Sequence, residues 1–211
     1  MSPAAIPATV RIGTVSDMAP LVEKTLRDVA ALGGGAPELT AEALEAARAR
    51  FAEELDQTFA AGAAEVEQSM QRTLPKGVKL LPLEASREGL VVTSVTTFEV
   101  DDLRVLPILQ MAFEPGQPRR RPFEAFTVTV EDGAVTIEGM PPPMALEGPE
   151  DELRAQALRL ALEVEVPVLE SNATSSRRAG DRTHLEWRFD GAQLRARSAA
   201  DRGWVQARLQ R

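Results

Sequence analysis

The sequence predicts an α+β fold in one domain, residues 1–211, with an N-terminal helical hairpin whose one long helix is packed on a mostly antiparallel β-sheet. Three observations predict it. Helical periodicity dominates about 17–73, and alternating, β-branched segments dominate about 78–209. Helices first and strands later is the α+β pattern. Within the helical part, Leu44, Phe51, Leu55, Phe59, Val66 and Met70 recur at intervals of seven and four, which draws one apolar stripe along a helix.

Thr9 to Val15 reads as a short strand, with Val10 and Ile12 on one face. Ser16 and Asp17 offer N-cap oxygens, and Pro20 sits in the first helical turn, where its missing N–H costs nothing. Leu21, Val22, Leu26, Val29 and Leu32 follow at helical spacing until Gly33-Gly34-Gly35. Thr40 caps the long helix, and Glu42 lies near its positive end. The other faces, with Glu45, Arg48, Glu53, Glu54, Asp56, Glu65 and Glu67, are solvated.

The period then changes. Pro75-Lys76-Gly77 is a turn, and Val78 to Leu83 is a strand interrupted by Pro82, which places it at a sheet edge. Gly89 to Val100 is β-branched and alternating. Asp101 and Asp102 cap a short turn carrying Leu103, Leu106, Ile108 and Leu109, limited by Pro107. Pro115 to Pro122 is a polar loop. Phe126 to Val130 and Ala134 to Glu138 flank Asp132-Gly133, and Asp-Gly supplies the positive φ angles of a tight hairpin. Beyond Pro141-Pro142-Pro143, a short helix is expected over 150–158 and a strand over 159–169. A polar loop follows over 172–181, with strands over 183–189, 193–198 and 203–209.

Composition narrows the function classes. A chain of 211 residues buries roughly 70% of its unfolded surface without a metal or disulfide. The net charge of −8 disfavours nucleic acid and polybasic membrane contact, both of which need a basic face. No cysteine is present, which excludes disulfides and thiolate metal sites, and one histidine, His184, excludes multi-histidine sites. No segment approaches the ~20 apolar residues of a membrane span. Met1 to Val10 lacks the basic and apolar regions of a signal peptide as it stands.

Leu74-Pro75-Lys76-Gly77-Val78, with the strand ending at Phe98 and Asp101-Asp102-Leu103, resembles the middle of uncharacterised bacterial envelope lipoproteins of the LppM-like type. The stretch Glu163 to Thr174, with a strand ending in Pro167 and an Asn-Ala-Thr loop start, is similar to the same group. So is Asp181 to Trp187, which places a tryptophan on the returning strand. The resemblance covers about half of the chain and departs from the group in having no lipobox cysteine. It implies an α+β domain at the cell envelope or periplasm that binds lipid or glycolipid. The missing signal peptide and lipobox leave a cytoplasmic setting open.

The candidate side chains divide by chemistry. His184 shares a strand face with Glu186 and Arg188, opposite Leu185, Trp187 and Phe189, so it faces solvent. Both Trp187 and Trp204 are expected in the core. Arg119, Arg120 and Arg121 form an anion-contact candidate, joined by Arg177, Arg178 and Arg182 if the two loops meet. The helix carboxylates lack the Glu-x-x-His pairing of a di-metal site, and no Gly-x-Ser-x-Gly elbow is present. No catalytic, cofactor or metal residue is assigned.

The expected function is therefore a non-enzymatic binding or structural module of a bacterial envelope. It would take a lipid or other amphiphile between helix and sheet, against Phe51, Leu55 and Phe59. One alternative is a protein–protein interaction module using the long amphipathic helix. A second is a small carboxylate-based enzyme.

Overall fold

The strand Thr9–Val15 lengthens to β1 (Ala8–Asp17) and becomes the middle of a sheet. The structure, a computed structural model, describes residues 5–32, 40–110, 121, 123–141, 156–195 and 203–210. Asp17 Oδ1 accepts a bond from the Ala19 amide at 2.9 Å and starts α1 (Ala19–Leu32). Thr40 Oγ1 accepts from the Ala43 amide at 3.2 Å and starts α2 (Ala41–Gln71). Each oxygen satisfies one of the amides a helix start leaves unpaired.

After α2 come β2 (Val78–Leu80), β3 (Glu84–Glu88) and β4 (Val91–Val100). Pro82 splits the predicted edge strand as its missing donor requires. β2 pairs with Phe98–Val100, β3 pairs with Val91–Val95, and the Leu81 amide bridges the gap to the Thr97 carbonyl. A 3-10 helix (Leu103–Ile108), capped by Asp102, then leads to the hairpin of β5 (Thr127–Glu131) and β6 (Ala134–Gly139). Asp132 at φ 49° and Gly133 at φ 75° make the tight turn that Asp-Gly favours.

The remaining elements are β7 (Gln156–Val164), β8 (Val168–Ser171), β9 (Ser175–Ala179), β10 (Arg182–Asp190), α3 (Gly191–Arg195) and β11 (Val205–Gln210). Two antiparallel sheets result. The first runs β2-β4-β1-β7-β10-β9, with β3 also on β4; the second runs β5-β6-β11-β8. Alternation points one face of each inward. In the first sheet Phe98, Val10, Leu162 and Leu185 form one buried row, and Ile12, Leu160 and Trp187 another. Val135, Ile137, Val205, Ala207 and Leu209 from the second sheet join the same core.

This overturns the expected fold class. Among the described residues the chain is mostly β, with two antiparallel sheets and no long helix packed along a sheet. The physical reason is that each sheet covers the apolar face of the other. α2 is 31 residues long, yet among its described side chains only Met70, near its end, enters the core. The helix neighbours α1 and β2 instead.

Four smaller expectations also change. Residues 156–158, expected to end a helix, open β7, while 150–155 lie outside the described residues. The single strand over 159–169 breaks at Pro167, where the chain leaves the first sheet for the second. The polar loop over 172–181 contains β9. The strand expected over 193–198 is in its described part the single turn α3, because Asp190 and Gln193 exchange side-chain-to-amide bonds at 2.8 and 3.0 Å, a reciprocal cap.

Candidate functional site

The outward face of the first sheet carries charge where the inward face carries Leu and Phe. Register places Glu163 on β7 opposite His184 on β10, and His184 opposite Arg177 on β9. Two residues along β10, Arg182 lies opposite Ala179. The small Ala179 leaves an open depression of about 420 Å³, lined by Glu163, Arg177, Ala179, Arg182 and His184.

Its polar groups are unequally satisfied. Arg182 donates from Nη1 to Glu163 Oε1 and from Nη2 to Glu165 Oε1, both at 2.9 Å. Those bonds, Glu163 first and Glu165 second, raise the guanidinium pKa above its ordinary value. Arg11 Nη1 approaches Glu163 Oε2 at 3.9 Å. His184 Nε2 stands 3.8 Å from Glu186 Oε2, and Glu186 also accepts from Arg188 Nε. The Arg188 bond holds the Glu186 carboxyl below its usual range, outweighing partial burial. The Arg177 side chain makes no hydrogen bond or ion pair among the described residues.

The predicted residues divide. Arg177 and Arg182 come together, while Arg178 lies on the opposite side of β9, in register with Thr183, and bonds the Gly180 carbonyl at 3.3 Å. Arg121 is exposed and does not line the depression; Arg119 and Arg120 lie outside the described residues. Phe51 is half-buried on α2, and the side chains of Leu55 and Phe59 lie outside the described residues. Among the described side chains of α2 only Met70 enters the core, so the described residues show no helix–sheet cavity around Phe51. His184 shares its face with Glu186 and Arg188 as alternation predicts. Trp187 is buried, but Trp204 is 45% exposed, so only one of the two tryptophans packs in the core.

Glu163 and Ala179 were not singled out from the sequence. Strict alternation over 159–164 carried the signal for Glu163. Gly180-Asp181, a turn with Gly180 at φ 64°, carried it for a β9–β10 hairpin. Among the described residues no group of three His, Asp or Glu is placed to hold a metal ion, and no helix is long and apolar enough to cross a membrane. The arrangement presents fixed charges of both signs on one open surface and can bind a charged group.

Comparison with protein-family models, with curated proteins and with solved structures found no match. The likeness to envelope lipoproteins therefore rests on the residues quoted for it.

Proposed function

We propose that the protein is a non-enzymatic binding module, in which the two-sheet body carries the α1–α2 hairpin as an arm that pairs with a helix of a partner protein. The observation that carries this reading is a mismatch in length. α1 has 14 residues and α2 has 31, so at 1.5 Å per residue α1 matches only about 21 Å of about 46 Å. The stripe on α2 has the seven-and-four spacing by which helices pair. On α1, Leu21 and Val29 are 46% and 61% exposed.

The first partner to test is a second copy of the chain. Sedimentation over a range of concentrations should show association that Leu21→Asp with Val29→Asp removes, both positions being exposed enough to tolerate the change. A chain that remains monomeric at every concentration, and whose interactions the double variant leaves unaltered, overturns the reading. The envelope setting implied by the resemblance belongs to the same proposal, and cell fractionation checks it.

A further inference from the structure

We propose that the depression on the outer face of the first sheet is a binding site for a small oxyanion, a carboxylate or phosphate group held between Arg177 and His184. The proposal does not depend on the hairpin.

The charges around the depression do not cancel. Glu163 and Glu165 are engaged by Arg182, and Glu163 is also approached by Arg11. Glu186 is engaged by Arg188. The three carboxylates are thus engaged by Arg11, Arg182 and Arg188, with Arg159 also acting on Glu186, and the Arg177 side chain has no carboxylate partner among the described residues. Its guanidinium opens onto a concave surface, beside the one imidazole of the chain, in a protein whose net charge is −8. In so acidic a molecule nearby carboxylates would ordinarily neutralise such a group. Here the nearest ones in register already have partners. A guanidinium fork matches the two oxygens of a carboxylate or phosphate, and His184, directly opposite Arg177 in the ladder, offers a ring N–H to the same ligand. Ala179 keeps the space above the strand open.

The competing explanation is that Arg177 guards an exposed edge. β9 is an outer strand of its sheet, and charged side chains there discourage pairing with other chains. Edge protection needs no ligand and no histidine, so the two explanations separate experimentally.

His184 is the sole histidine, so its imidazole C2–H gives one NMR signal from the intact chain. Inorganic phosphate is titrated at fixed pH and ionic strength, with chloride as the balancing salt and acetate in a parallel series. The expected result is a saturable shift of that signal, with Kd on the order of 1–10 mM for so open a site. Arg177→Ala should weaken it at least about tenfold, since the charge-assisted fork is lost, while Arg177→Lys retains part of it. Arg178→Ala removes the same charge from the other side of the strand and should leave the titration unchanged. A linear, unsaturable response, or equal losses in the Arg177→Ala and Arg178→Ala chains, overturns the site and leaves edge protection as the role of Arg177. Co-sedimentation with phosphatidylglycerol vesicles tells the sources apart. Pelleting that Arg177→Ala abolishes assigns the site to a lipid head group; a saturable shift without pelleting assigns it to a free oxyanion.

Discussion

The indole Nε1 of Trp187 donates to Oδ1 of Asn172 at 2.8 Å, and this bond joins the two sheets. The same oxygen accepts the Gln206 amide at 2.8 Å, and Nδ2 donates to the Trp204 carbonyl at 2.8 Å. Asn172 thus ties β10 of the first sheet to β11 of the second, using its side chain as a third strand would use its backbone.

Replacing Asn172 with Ala should leave a buried indole donor and a strand amide without their acceptor. A loss of about 1–3 kcal/mol is expected, the cost of an unsatisfied buried polar group. Urea unfolding monitored by fluorescence measures it. Trp187 is buried and Trp204 is not, so acrylamide should quench two populations unequally, and Trp204→Phe should remove the accessible one.

Gly139 lies under Phe126. A Cβ at that position would sit 2.4 Å from the ring, and the ring cannot easily withdraw because it packs edge-on against Phe123, with centroids 5.1 Å apart. Gly139→Ala should cost about 1–3 kcal/mol through overpacking, and a second change, Phe126→Leu, should return part of it. At Gly89, where nothing lies within 4 Å and φ is +60°, Ala should cost only about 1 kcal/mol from backbone strain. Thermal melts of the three variants test the ordering.

Acid should destabilise the fold through Asp102 and Glu186. Burial pushes the Asp102 carboxyl up, but the Arg104 side chain and amide outweigh it and hold the net value below the usual range. Glu186 is held low by Arg188. A carboxyl depressed in the folded state contributes stability above its unfolded pKa, about 4, and loses that contribution as pH falls through its folded value. Unfolding free energy measured from pH 6 to pH 2 should therefore fall. The slope should be shallower in Asp102→Asn and Glu186→Gln.

Arg48 fastens the hairpin. Its Nη2 meets Glu23 Oε1 of α1 at 2.5 Å and its Nη1 meets Glu45 at 2.7 Å, while Nε is buried without a partner among the described residues. Arg48→Met keeps the apolar stem and removes the link. Hydrogen exchange should accelerate in α1 and the first half of α2, with the strand amides unaffected, because among the described side chains of α2 only Met70 enters the core. Uniform acceleration throughout would mean that hairpin and sheets unfold together.

Local chemistry was legible where a residue acts on its own neighbours. The caps at Asp17, Thr40 and Asp102, the turn at Asp132-Gly133 and the interruption at Pro82 are each decided within a few residues, and each stands where the sequence places it. The second sheet was not legible, since alternation states that a strand has an inner face without stating what covers it. Gln156, Ala157 and Leu158 have helical propensity, but between β1 and β10 ladder pairing overrides it. The polar run Ser175–Ala179 lacks apolar alternation because it lies at an edge. The candidate site was half legible for the same reason: Arg177, Arg182 and His184 drew attention as residues, while their convergence required the register of three strands.

The central position of β1 has a consequence for how the chain comes to be folded. Val10 meets Phe98 on one side and Leu162 on the other, the latter roughly 150 residues away, so the middle of the sheet closes only through very distant pairing. At ribosomal speeds of about 5–20 residues per second, the nascent segment holding Val10 and Ile12 waits many seconds for its later neighbour. In that interval its two open ladders are free to pair wrongly. Refolding should accordingly be slow and yield-limited at high concentration, and chaperones should matter more to production of this protein than its modest size suggests.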